Sequence, residues 1–81
     1  MKTETLIMPK LGLTMESGTI TSILCKPGDF VKEGETIIEF ETEKLSNQIV
    51  APFDGFVEEL FVTEEQEVEV TEAVCRFSDR A

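Results

Sequence analysis

Apolar residues in this 81-residue chain fall in short runs bounded by turn-forming residues, and no segment of useful length repeats them at helical spacing. Five segments rich in β-branched and aromatic residues are expected to be strands: Thr19–Cys25, Thr36–Thr42, Ser46–Val50, Phe56–Val62 and Ala73–Phe77. Turn signals separate them at Ser17-Gly18, Pro27-Gly28-Asp29, Glu33-Gly34, Ala51-Pro52 and Asp54-Gly55. Residues 58–72 are acidic enough to suggest a helix. Val68 and Val70, however, alternate with Glu67 and Glu69 behind the β-type pair Phe61-Val62, so extended structure is expected there too.

The pattern repeats. Residues 18–43 overlay residues 55–80 at an offset of 37 with no gap, and eight of the nine apolar positions in the first copy are apolar in the second. Gly18 falls on Gly55, Val31 on Val68, Glu35 on Glu72 and Phe40 on Phe77. Neither copy can bury a face alone, but two copies can bury their faces against each other as two small sheets. An all-β sandwich with quasi-two-fold symmetry is therefore expected. The glycines break the symmetry, because Gly28 and Gly34 correspond to Glu65 and Thr71. Sharper turns are expected in the first copy, and an acidic loop, Glu64-Glu65-Gln66-Glu67, in the second.

The length fits one small domain, 1–81, with a thin core. No run approaches the roughly 20 apolar residues of a membrane helix, and the polar start, Met1 to Thr5, does not read as a signal peptide. The net charge of -10 argues against nucleic-acid partners and anionic membrane surfaces. Residues 51–81 hold nine acids and two bases, which suits a solubilising surface or one that docks on a basic partner. Cys25 and Cys75 sit in apolar strand patterns and are expected to be small buried hydrophobes, free thiols in a reducing compartment. The chain has no His, Tyr or Trp and no CxxC, so neither a metal site nor a catalytic set is expected.

Lys44 stands apart. It lies in Glu41-Thr42-Glu43-Lys44-Leu45-Ser46, between two expected strands, which places it at or beside the tip of a tight hairpin. The repeat sets it opposite Ala81, the last residue, so one of the two equivalent tips bears an amine.

Three segments extend this reading: Met8-Pro9-Lys10-Leu11-Gly12-Leu13-Thr14-Met15-Glu16-Ser17-Gly18-Thr19-Ile20; Lys26-Pro27-Gly28-Asp29-Phe30-Val31-Lys32-Glu33-Gly34-Glu35; and Ile38-Glu39-Phe40-Glu41-Thr42-Glu43-Lys44 with Val50-Ala51-Pro52 and Asp54-Gly55. In order and spacing the chain resembles the lipoyl domains of 2-oxo acid and acetoin dehydrogenase complexes. The resemblance implies a flattened eight-stranded barrel or sandwich of two four-stranded antiparallel sheets, with the lysine on an exposed turn of one and both termini in the other. It also implies lipoate amide-linked to Lys44, installed by a lipoate–protein ligase or an octanoyl- or lipoyl-transferring enzyme. The domain would be a monomeric, non-catalytic carrier, cytoplasmic, or in the mitochondrial matrix if excised from a eukaryotic protein. Its arm would serve a thiamine-diphosphate-dependent decarboxylase, an acyltransferase core and dihydrolipoyl dehydrogenase in turn.

Glu43 and Leu45 flank the lysine and are expected to take part in recognition; the family's usual triplet is Asp-Lys-Ala. Related biotin-carrier domains share the fold and typically have Met-Lys-Met, so biotin on Lys44 is the alternative. The loop Leu11–Ser17, with Leu13, Thr14, Met15 and Glu16, is the other expected recognition element, because in this family it lies close to the modified turn.

Overall fold

The computed structural model describes residues 2–10, 15–43 and 45–80, with eight strands and no helix among them. They are β1 (Thr3–Ile7), β2 (Ser17–Ile23), β3 (Phe30–Val31), β4 (Thr36–Glu41), β5 (Ser46–Val50), β6 (Gly55–Leu60), β7 (Glu67–Glu69) and β8 (Ala73–Ser78). One sheet has the order β1-β8-β6-β3 and the other β5-β4-β2-β7, with every pairing antiparallel. The sheets face each other as a sandwich and do not close into a continuous barrel.

Side chains from both inner faces meet in one core. Ile20 of β2, Ile38 and Phe40 of β4, Val57 of β6, Val68 of β7, and Cys75 and Phe77 of β8 are all buried, as is Met8 just beyond β1. The repeated glycines are close-approach points. A Cβ on Gly18 would lie 3.1 Å from the Phe40 ring and 3.3 Å from Met8 Sδ, and one on Gly55 only 2.3 Å from the Ser78 carbonyl oxygen. Each strand pair around them closes because no side chain stands there.

The repeat extends to single hydrogen bonds. Leu24 N–H donates to the Ile37 carbonyl and Phe61 N–H to the Val74 carbonyl, each at 2.9 Å. The Gly28 N–H donates to the Val57 carbonyl at 2.8 Å, and its mate, Glu65 N–H, donates to the Ile20 carbonyl at 2.6 Å. Thr42 N–H donates to the Leu45 carbonyl at 2.8 Å, and Asp79 N–H to the Lys2 carbonyl at 3.0 Å. The β4–β5 turn therefore has, as its symmetry mate, the place where the two ends of the chain meet.

Three expectations are corrected. The first concerns the turns, which are the same in both copies. Gly28 (φ 95°) matches Glu65 (φ 70°), and Gly34 (φ 86°) matches Thr71 (φ 76°), so two L-residues occupy left-handed conformations that glycine adopts freely. The shared side-chain brackets enforce this geometry. Lys26 N–H donates to Asp29 Oδ2 and Thr63 N–H to Gln66 Oε1, both at 3.0 Å; Lys32 N–H donates to Glu35 Oε1 and Glu69 N–H to Glu72 Oε1, both at 2.9 Å.

The second correction shortens two strands: β2 ends at Ile23 and β6 at Leu60, where the chain leaves the sheet for these bracketed turns. Leu24 and Phe61 consequently face outward, 55% and 40% exposed. The third concerns Cys25, which follows the end of β2 and is only half-buried, whereas Cys75 on β8 is fully buried. β3, two residues long, is too short to show a period of its own and was not among the expected strands.

Candidate functional site

The β4–β5 hairpin is held in register by Glu41 opposite Ser46, Phe40 opposite Asn47 and Glu39 opposite Gln48. Phe40 and Ile38 point inward and anchor β4 in the core, so the turn beyond Glu41 projects from a fixed base. At the turn itself Thr42 uses both its backbone and its side chain. Its N–H donates to the Leu45 carbonyl at 2.8 Å, and its hydroxyl lies 3.3 Å from both the carbonyl oxygen and the nitrogen of Leu45. Glu43 and Leu45 are exposed, Leu45 to 44%. Lys44 lies outside the described residues, as do Leu13 and Thr14.

The electrostatics at this end have one sign. The strands of the sheet, β2, β4, β5 and β7, contain Glu39, Glu41, Glu67 and Glu69 and no Lys or Arg. Across the sheet the last rows run Ser46–Glu41–Thr19–Glu67, with the Ser17 hydroxyl donating to Glu67 Oε2 at 2.7 Å. Lys44 is the single basic residue between Lys32 and Arg76. On the opposite sheet Arg76 pairs with Glu58 at 2.9 Å and Glu59 at 3.0 Å, on the surface.

The structure brings part of the other expected element to this end. β2 enters the sheet at Ser17, two residues before Thr19 pairs with Glu41, so Glu16 arrives beside the hairpin end. Glu16 is exposed and its carbonyl accepts the Val70 N–H at 2.9 Å. Met15 is half-buried and packs on the core, so it is less available to a partner than an exposed Met15 would be. A depression at β2, β4 and β5 is lined by Thr21, Glu39, Phe40, Ser46, Asn47 and Gln48, a mostly polar set unsuited to enclosing an apolar cofactor.

The thiols are poorly disposed to chemistry. Burial pushes Cys75 up to about 12, and the neighbouring Cys25 adds to the rise. Cys25 is also raised, by burial first and then by Asp29 and Glu35. Both therefore stay protonated near neutral pH and lack thiolate reactivity. Among the described residues no group of three or more His, Cys, Asp or Glu could hold a metal ion. The sequence reading missed the double role of Thr42; a threonine opening a four-residue turn was the available signal.

Comparison with known proteins gives concordant results. The biotin–lipoyl family model, described as biotin-requiring enzyme, matches residues 4–77. The dihydrolipoyllysine-residue acetyltransferase component of the acetoin cleaving system of Bacillus subtilis (strain 168) is 37% identical over 73 residues, 90% of this chain and 18% of that protein. The lipoamide acyltransferase component of the branched-chain alpha-keto acid dehydrogenase complex of the same organism is 36% identical over 76 residues, 94% of this chain and again 18% of that protein. The chain thus spans less than a fifth of the length of these relatives. Among solved structures, the lipoyl domain of the 2-oxoglutarate dehydrogenase complex from Azotobacter vinelandii superposes with a TM-score of 0.79 at 26% identity, covering 95% of this chain and 98% of that one.

Proposed function

Since the chain belongs to the biotin–lipoyl attachment family and is a lipoyl-type, non-catalytic carrier domain, we propose that Lys44 carries lipoate in amide linkage and that the domain presents this arm to the active sites of a multienzyme complex. The observation that carries the assignment is the hairpin end. A turn closed by Thr42 and Leu45 has exposed flanks, and Lys44 brings the one amine to a sheet whose strands hold only acidic charge.

The chain's own residues support such a role. Phe40 and Ile38 anchor β4 in the core, so the base of the hairpin is fixed relative to the body of the domain. Glu43 and Leu45 are available to the enzyme that installs the group, a lipoate–protein ligase or an octanoyl- or lipoyl-transferring enzyme. Bound lipoate supplies a disulfide that accepts an acyl group and two electrons. The partners would be a thiamine-diphosphate-dependent decarboxylase, an acyltransferase core and dihydrolipoyl dehydrogenase, with Glu16 and its loop beside the site as part of the surface they read. Relatives named for acetoin cleavage and for branched-chain substrates are 37% and 36% identical, so the likeness extends equally to complexes of different substrates.

Incubation of the purified protein with a lipoate–protein ligase, lipoate and ATP tests the assignment. Intact mass should rise by one lipoyl group. A biotin ligase with biotin and ATP should add nothing; addition of biotin alone would replace this reading with the biotin-carrier alternative.

A further inference from the structure

The hydroxyl of Thr42 bridges both backbone polar groups of Leu45 at the lysine-bearing turn. It lies 3.3 Å from Leu45 N, as acceptor, and 3.3 Å from the Leu45 carbonyl oxygen, as donor. One hydroxyl can serve both bonds at once. It thereby takes up the N–H that an ordinary β-turn gives to the carbonyl of its first residue, and it adds a second donor to a carbonyl that already accepts Thr42 N–H at 2.8 Å. Both polar groups of Leu45 are thus tied to the one residue that opens the turn.

The internal repeat offers a comparison within the same molecule. Asp79 is the symmetry mate of Thr42, and its N–H donates to the Lys2 carbonyl at 3.0 Å. Beside it the Ser78 hydroxyl donates to the Arg80 carbonyl and accepts the Arg80 N–H at 3.3 Å, so a hydroxyl bridge stands at both ends, one residue out of register. At the end that bears Lys44 the bridge comes from Thr42 itself, and the neighbours Glu43 and Leu45 are exposed.

We propose that the Thr42 hydroxyl is a positioning group that holds the Thr42–Leu45 turn in the shape in which the modifying enzyme accepts Lys44; this rests on the carrier function proposed above. A modifying enzyme that reads backbone shape around its target amine gains from a turn held in one conformation before contact. Thr42→Val keeps the volume and the β-branch but removes both hydroxyl bonds, whereas Thr42→Ser keeps the bonds and removes the methyl group.

The test is the initial rate of lipoate transfer by a lipoate–protein ligase to the full chain, with amide hydrogen exchange at Leu45 measured alongside. For Thr42→Val, kcat/KM for the domain should fall about tenfold, the ligase's KM for lipoate should not change, and the Leu45 amide should exchange faster. Thr42→Ser should restore the rate to near the parent's. A Thr42→Val protein modified as fast as the parent would overturn the proposal. So would an equal loss in both variants, which would assign the effect to the methyl group. If the parent chain accepts no lipoate, the carrier reading falls, and the positioning role falls with it whatever the exchange at Leu45.

Discussion

Thr71 offers a sharp test of the symmetry argument, because the two copies place different residues in one backbone conformation. Thr71 has φ 76° where its mate Gly34 has φ 86°. Its side chain is exposed and its N–H donates to the Met8 carbonyl at 2.9 Å, matching the Gly34 N–H on Ala51 at 3.0 Å. Thr71→Gly therefore removes no buried contact and keeps the hydrogen bond. A left-handed conformation costs an L-residue about 1–2 kcal/mol, and a β-branched residue belongs at the upper end. Glycine gives back about 0.5–1 kcal/mol through the greater freedom of the unfolded chain. The net expectation is a gain of about 1 kcal/mol, or a Tm rise of roughly 4–8 °C for a domain of this size. Gly34→Thr should lose about as much, and for the same reason, since a Cβ at Gly34 meets nothing within 4 Å. Both variants are measured by thermal and urea unfolding of the unmodified protein, followed by circular dichroism. A Thr71→Gly protein no more stable than the parent, together with a harmless Gly34→Thr, would refute the claim that these turns store strain.

Gly55→Ala should be far more damaging than Gly18→Ala. The new Cβ at Gly55 lies 2.3 Å from the backbone oxygen of Ser78, whereas at Gly18 it meets the movable ends of Met8 and Phe40 at 3.1–3.4 Å; soluble yield and urea midpoints should separate the two, with about 3 kcal/mol or more lost at Gly55. Cys75 predicts an alkaline weakness. Its thiol holds its proton to about 12 when folded against 9.0 unfolded, so between these values the folded state binds more protons and stability falls as pH rises. The slope should be about 1.4 kcal/mol per pH unit above 9, seen in urea midpoints across pH 8–11, and should be much reduced in Cys75→Ala. Replacing Glu64, Glu65 and Glu67 with Gln tests whether the acidic second half docks a partner. If it serves solubility, reductive acylation of the loaded domain by the decarboxylase should change by less than about twofold; a larger fall would locate the decarboxylase on that face.

Much of this architecture was legible because two signals were redundant. β-branched and aromatic content marked the longer strands, and the offset of 37 tied Thr19–Cys25 to Phe56–Val62 and Thr36–Phe40 to Ala73–Phe77, so that two packed sheets followed from the chain alone; that β3 and β7 each join the sheet of the other copy did not. What stayed hidden had local causes. Leu24 and Phe61 are apolar, yet the chain turns out of the sheet just before them, and composition gives no sign of that departure. Glu65 and Thr71 looked like a break in symmetry because left-handed backbone is expected of glycine; the brackets from Gln66 and Glu72 hold the conformation without it. At the candidate site, the β4–β5 hairpin was legible from spacing, whereas the hydroxyl bridge of Thr42 had no signal beyond a threonine opening the turn.

The central claim is that the group is attached at Lys44, and peptide mapping of the ligase-treated protein tests it most directly. The added lipoyl mass should be found on the peptide containing Glu43-Lys44-Leu45, and Lys44→Arg should take up no group while unfolding at the same temperature as the parent. Lipoyl mass on Lys2, Lys10, Lys26 or Lys32, or undiminished addition to Lys44→Arg, would contradict the account.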